Sequence, residues 1–224
     1  STQRNVRFVR GTVVEMNHDE RVIHLDGNVA VKYDYLVIAC GVTANFFGIP
    51  GAAENSLPLY RRSQALALRD RMFAILEDSA MNDGDRGLHM IVVGGGATGV
   101  ETAGALAEMR NIDMPVTYPE IPLDNVQISL VEMSPNVLGP FHPSLRDYTV
   151  QALQKRGVTL RLSTAVKEVR ADGVLVEHEG AQEFIESAIV IWASGVTVHP
   201  SVAEWGLPQG RGGRIETDEN MRVG

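Results

Sequence analysis

Leu88-His89-Met90-Ile91-Val92-Val93-Gly94-Gly95-Gly96-Ala97-Thr98-Gly99-Val100-Glu101-Thr102-Ala103-Gly104-Ala105-Leu106-Ala107-Glu108-Met109 is the run around which the rest of the chain is arranged. An apolar segment of strand length, 88–93, enters a turn with glycines at Gly94, Gly96 and Gly99, and a pattern with helical period leaves it. A strand, a glycine turn and a helix in this order form the dinucleotide-binding arrangement, in which each glycine has its own task. Gly94 permits the tight turn, Gly96 lets the backbone approach a pyrophosphate, and Gly99, with Ala103 one helical turn on, lets the helix lie close to the sheet. The unpaired N–H groups and positive dipole end of the helix then stabilise a diphosphate without a Lys or Arg. Gly94, Gly95, Gly96, Ala97, Thr98 and Gly99 are therefore candidate cofactor contacts.

A glycine hexad alone is weak evidence, since such turns are common between strand and helix, and the next strand strengthens it. The apolar run 126–131 ends on Glu132, where a carboxylate can accept from an adenosine ribose 2′-OH and repel a 2′-phosphate, so NAD is expected over NADP. The alternative role for Glu132 is a solvated strand-end charge. Between helix and strand, residues 111–125 contain Pro115, Pro119 and Pro122 and are expected to be an irregular surface excursion.

With 224 residues and 44% hydrophobic content, the chain can bury a substantial core. Its formal net charge of -8 argues against a nucleic-acid surface. No apolar run reaches the roughly 20 residues of a spanning helix. Cys40 is the single cysteine, which rules out an internal redox pair, a disulfide framework or a cysteine zinc site within these residues, and no metal ligands are expected.

Four short strands are expected at 6–10, 12–16, 21–25 and 29–33, with His18 and His24 as solvated turn histidines. The continuous apolar run 35–39, ending in Cys40-Gly41, predicts a strand covered on both faces. A helix is expected from Ser63, as N-cap, to Met81, with Arg61 and Arg62 as a solvated helix start, and a turn follows at 82–87. A second helix is expected after Ser144, burying Leu145, Tyr148, Ala152 and Leu153 and stopping at Gly157. Strands at 158–162, 166–170, 174–178 and 183–185 suggest one more sheet strand and an antiparallel meander. A last buried strand, 188–192, delivers Ala193-Ser194-Gly195.

Several of these segments together resemble type II NADH dehydrogenase, the single-subunit NADH:quinone oxidoreductase among the pyridine nucleotide-disulfide oxidoreductases. They are residues 33–41, Asn45-Phe46-Phe47-Gly48-Ile49-Pro50-Gly51, residues 94–108, Val131-Glu132-Met133-Ser134-Pro135 and Val190-Ile191-Trp192-Ala193-Ser194-Gly195-Val196. The resemblance implies an α/β fold: a Rossmann-like NAD-binding domain with a parallel sheet and a three-stranded antiparallel meander, flanked by remnants of an FAD-binding domain. It divides the chain into an FAD-domain remnant (1–43), an NADH-binding domain (44–200) and a truncated return segment of the FAD domain (201–224). It implies hydride transfer from NADH to FAD and then electron transfer to a quinone, by an enzyme lying peripherally on the cytoplasmic side of a membrane.

By the same resemblance Glu101 points toward the nicotinamide end, Ser194 and Gly195 pass the nicotinamide, and Cys40, where the family commonly has threonine, and Gly41 belong to the cofactor site. No acid–base catalytic residue is implied, because the protein's part is to align nicotinamide and flavin. The chain is expected to be a soluble fragment of a longer enzyme, with quinone and membrane contacts through segments outside it, and alone to be inactive with quinone. A homodimer stays open. Two other readings also stay open: a sulfide or disulfide reductase of the same fold, and a non-catalytic NAD-binding module.

Overall fold

The computed structural model describes residues 4–82 and 87–223, so the turn expected at 82–87 lies mostly outside the described residues. The chain divides into two units, one built from Ser1–Thr43 and Thr197–Gly224 and the other from Ala44–Val196. In the first, β1 (Val13–Asn17), β2 (Val22–Leu25) and β3 (Val29–Lys32) form an antiparallel meander. His18, expected to be merely solvated, places Nε2 2.7 Å from the Trp205 carbonyl oxygen.

Two expected strands are absent from this unit. Residues 6–10 are not paired, and 35–39 form no ladder, the segment bending at Asp34 and Tyr35, with Tyr35 95% and Val37 86% exposed. An apolar run becomes a buried parallel strand only when neighbours satisfy its backbone on both edges and cover both faces, and no described strand does this for 35–39.

Two short strands, β4 (Val42–Ala44) and, much later, β13 (Val196–Val198), pair with each other where the chain passes between units. Within the second unit come α1 (Ala52–Asn55), β5 (Leu57–Pro58), α2 (Arg62–Met81), β6 (Leu88–Val93), α3 (Ala97–Glu108), α4 (Met114–Thr117), β7 (Val126–Val131), α5 (Pro143–Lys155), β8 (Val158–Arg161), β9 (Thr164–Arg170), β10 (Gly173–His178), β11 (Ala181–Glu186) and β12 (Ile189–Trp192). The five-stranded sheet runs β5-β12-β6-β7-β8, with every pair parallel, and β11-β10-β9 form a separate antiparallel sheet.

Alternation along β6 explains why its sequence is apolar without interruption. Met90 and Val92 pack with Ala103 and Leu106 of α3, whereas Ile91 and Val93 pack with Val166, Val169, Val174 and Val176 of the meander. Helices cover one face of the sheet and the meander covers the other, so both sides of each central strand must be hydrophobic. The α/β class, the parallel sheet and the three-stranded meander are as expected.

Helix starts differ from the expectation. The cap of α2 is Arg61 rather than Ser63, and the Gln64 side chain reaches back to accept from the Tyr60 and Arg61 N–H groups, both at 2.9 Å. For α5 the cap is His142 rather than Ser144, and of the four residues expected inside only Leu153 is buried, Leu145 and Tyr148 being 50% and 70% exposed. The helix turns its apolar stripe only partly onto the sheet.

Residues 111–125 are also more regular than expected. A π-helical turn, Met109–Asp113, continues α3 into α4, and Met114 and Ile121 are buried in the helix-side core. Arg110 anchors the departure: its guanidinium donates to the carbonyls of Val126 and Gly157, both at 3.3 Å, and of Arg156 at 2.8 Å. Arg110→Ala is expected to cost about 1–2 kcal/mol by leaving these carbonyls without their charged donor. Urea unfolding measures it, and a loss no larger than that of an exposed Arg elsewhere would remove the anchoring role.

His89 on β6 is half-buried, with Nε2 2.8 Å from Ser129 Oγ. Burial lowers its pKa from the ordinary 6.5, outweighing a hydrogen bond with the Glu186 backbone that raises it, and the nearby Arg161 charge adds to the lowering. The unfolded chain therefore takes up this proton first, so the stability contribution is present above the unfolded pKa and lost as pH falls through the folded one. Thermal unfolding of the wild type between about pH 7.5 and about pH 5 is expected to weaken with acid more steeply than that of His89→Asn, and parallel curves would exclude this histidine as a cause.

Candidate functional site

Strand order places a switch point at β6. From β6 the chain steps to β7 and β8 on one side, and β12 later returns on the other. In open α/β sheets a ligand binds beyond the carboxyl ends of the strands at such a point. There the structure has a cavity of about 270 Å³, whose lining includes Gly94 after β6, Glu132 and Met133 after β7, Trp192 and Ser194 at the end of β12, and Phe47. Among the described residues no Lys or Arg lines it.

The glycines of the turn are explained one at a time by their neighbours. Gly94 has φ +112°, and a Cβ there would lie 2.8 Å from the Ala193 carbonyl oxygen, so β6 and β12 exit in contact. A Cβ on Gly95 would press on the Glu132 side chain at 2.9 Å, and one on Gly99 would overlap the Gly94 carbonyl oxygen. Gly96 is different. Its φ is an ordinary -73°, it is exposed at the N-cap of α3, and among the described residues nothing but its chain neighbours lies within 4 Å of where its Cβ would be. The protein itself places no demand for glycine at this position; a ligand lying against the backbone would. Ala97, exposed, and Thr98, half-buried, follow in the first turn, where N–H groups have no intrahelical acceptor.

Glu132 is bound to the turn it was expected to stand beside. Its Oε2 accepts from the Gly95 N–H at 2.5 Å and its Oε1 from the Ser134 N–H at 2.7 Å. The carboxylate is thereby held at the end of β7, one strand from the helix N-terminus. Among the other expected site residues, Ser194 lines the cavity and Gly195 follows it with φ +68°. Glu101 is exposed on α3 and lines a shallow apolar groove against α2 rather than this cavity. Cys40 and Gly41 lie in the first unit, exposed and outside any strand.

Several residues of the site had no role in the sequence analysis. Trp192, fully buried, donates its indole N–H to the Asn45 carbonyl at 2.9 Å and meets the Phe46 ring at 5.6 Å between centroids. Phe47 adopts φ +54°, its N–H held by the Asn45 side chain at 2.8 Å, and its ring lies where a Gly195 side chain would be. The Leu138 N–H donates to the Gly95 carbonyl at 2.7 Å, tying the proline-rich loop after β7 to the glycine turn. The only sequence signal for the first two was their presence in Asn45-Phe46-Phe47 and Trp192-Ala193-Ser194.

A family model described as pyridine nucleotide-disulphide oxidoreductase matches residues 1–224. The chain belongs to that family. It is similar to a probable mitochondrial NADH-ubiquinone oxidoreductase of Schizosaccharomyces pombe, 33% identical over 213 residues covering 87% of this chain and 38% of the relative. A probable NADH dehydrogenase of Dictyostelium discoideum is 28% identical, over 97% of this chain and 50% of the relative. The chain thus spans half or less of the length of these relatives. Among solved structures, NDH2 from Plasmodium falciparum in complex with NADH matches with a TM-score of 0.80 and 24% identity, over 88% of this chain and 42% of that one. The sulfide:quinone oxidoreductase of Aquifex aeolicus matches at 0.74 with 16% identity, over 94% of this chain and 48% of that one. Both likenesses establish the Rossmann-like fold.

Proposed function

We propose that this chain is the NADH-binding portion of an FAD-dependent NADH:quinone oxidoreductase. One observation carries the nucleotide site: Gly96, at the N-cap of α3 beside Glu132, is a glycine that no neighbour in the protein requires. The diphosphate is assigned to the N–H groups of Gly96, Ala97 and Thr98, and the adenosine ribose to Glu132 at the end of β7. The nicotinamide then extends over β12 toward Ser194 and Gly195, with Glu101 assigned to the nicotinamide end through the family resemblance. Similarity to NADH-ubiquinone oxidoreductases and to an NADH dehydrogenase supports a quinone as final acceptor.

The flavin of this reading is assigned to the first unit. Gly41 there has φ +71° with open space around its missing Cβ, which suits a backbone lying against a ligand, and Cys40 precedes it. FAD, when bound, would accept the hydride, while this chain's residues hold and aim the nicotinamide. Contact with a membrane surface and with quinone is assigned to segments beyond this chain, on the cytoplasmic side. Among the described residues no helix is long and apolar enough to cross a membrane.

Calorimetric titration with NADH and NADPH tests the reading. NADH is expected to bind more tightly, and absence of NADH binding would refute it. Glu132→Gln keeps an acceptor for the Gly95 N–H but removes the charge. It is expected to narrow the NADH preference by about tenfold, or about 1.4 kcal/mol, and an unchanged preference would remove Glu132 as the discriminator.

A further inference from the structure

The exit from β12 is held through the carbonyl of Gly195. The Gly195 carbonyl accepts two hydrogen bonds, from the Tyr60 phenol at 2.8 Å and from the Asn45 N–H at 3.3 Å. Tyr60 is itself anchored at the start of α2, where its N–H is held by Gln64, and it packs on the same core as Trp192. Asn45 is fixed from its other side by the Trp192 indole. The Ser194-Gly195 backbone therefore does not end in a free loop. Gly195 is left-handed, at φ +68°, with the Phe47 ring against its α-carbon, so no side chain of its own can set its direction. Direction is set instead by what grips its carbonyl.

We propose that Tyr60 is a positioning residue for the nicotinamide half of the dinucleotide, its hydroxyl fixing the Gly195 carbonyl so that the Ser194 backbone presents one surface to the cavity. This rests on the nucleotide site proposed above. The strand order supplies the spatial logic: Glu132 and the adenosine end lie on the β7 side of the turn, and Ser194-Gly195 on the β12 side. A change at Tyr60 therefore acts on one end of the ligand and spares the other. Burial raises the phenol's pKa from its ordinary 10.0, so the group remains a proton donor throughout neutral and mildly alkaline conditions.

The test compares NADH with ADP-ribose, which shares the adenosine and diphosphate but lacks the nicotinamide, on the full chain and on its Tyr60→Phe variant. Phenylalanine keeps the ring packing and removes only the donor. ADP-ribose affinity is expected to stay within about twofold, while NADH weakens by about five- to tenfold, the size of one lost hydrogen bond. The fluorescence change of the dihydronicotinamide at saturation is expected to shrink with it, which a general loss of stability would not produce. Equal weakening of both ligands would overturn the proposal and make Tyr60 a structural residue, as would unchanged affinity for both. If the wild type bound neither ligand, the nucleotide-site reading would fail and the proposal with it. If Tyr60→Phe fails to fold, Gln64→Ala, which frees the anchor of Tyr60 without touching the ring, is expected to lower the NADH-to-ADP-ribose affinity ratio in the same direction, and an unchanged ratio would overturn the proposal.

Discussion

Gly96→Asp is expected to raise folding stability slightly and to abolish most nucleotide binding. Gly96 occupies the N-cap of α3 with the extended backbone a cap requires, φ -73° and ψ -178°, and open space where a side chain would go. Aspartate is among the preferred caps, and its carboxylate also complements the helix dipole, so a gain of about 0.5 kcal/mol is expected. The same carboxylate would occupy the volume assigned to the diphosphate and repel it. NADH affinity is expected to fall on the order of 100-fold, about 2.7 kcal/mol. Urea unfolding and calorimetry on one preparation measure both quantities. Retained affinity would show that no phosphate lies at Gly96, and the main support for the nucleotide site would be gone.

Gly99→Ala, three residues away, is expected to do the reverse: a large loss of stability, with binding lost only as a consequence. A Cβ there would overlap the Gly94 carbonyl oxygen, which is backbone, and Gly94 is itself hemmed in by the Ala193 carbonyl, 2.8 Å from where its own Cβ would be. No rotamer change can relieve the clash, so α3 must lift from the sheet or the turn must open. Overpacking of this kind costs about 3 kcal/mol. A loss below about 1 kcal/mol in urea unfolding would mean that the turn is more yielding than its contacts indicate. Together the two variants separate a glycine that serves a ligand from one that serves packing, although both stand in one six-residue motif.

Legibility of the fold followed the range of the interactions involved. Strands β6 and β7 have the bounds that their apolar runs predict, because those runs are covered on both faces. Residues 35–39 carry a similar run and form no strand, since a strand depends on partners that its own residues do not encode. The two-residue edge strand β5, with Pro58 in it, was too short and too irregular to stand out. Ser63 and Ser144 were plausible caps by residue type, but the backbone leaves the helix at Arg61 and His142, where Gln64 and the His142 ring supply the acceptors. The prolines in 111–125 suggested irregularity, yet Pro115 lies inside the helical run, within α4 and directly after the π-helical turn that continues α3.

The sequence by itself determined the strand, turn and helix at 88–109, the carboxylate at 132 and the class of the domain, because backbone freedom at glycine and hydrophobic periodicity are properties of neighbouring residues. The tertiary structure alone decided that Glu132 grips the Gly95 N–H, that Gly96 faces open space while Gly99 meets backbone, and that Tyr60 holds the carbonyl of a glycine 135 positions further along. Those partners come together only when parallel strands are brought side by side by long crossovers, and no local pattern records which residues will meet when that happens.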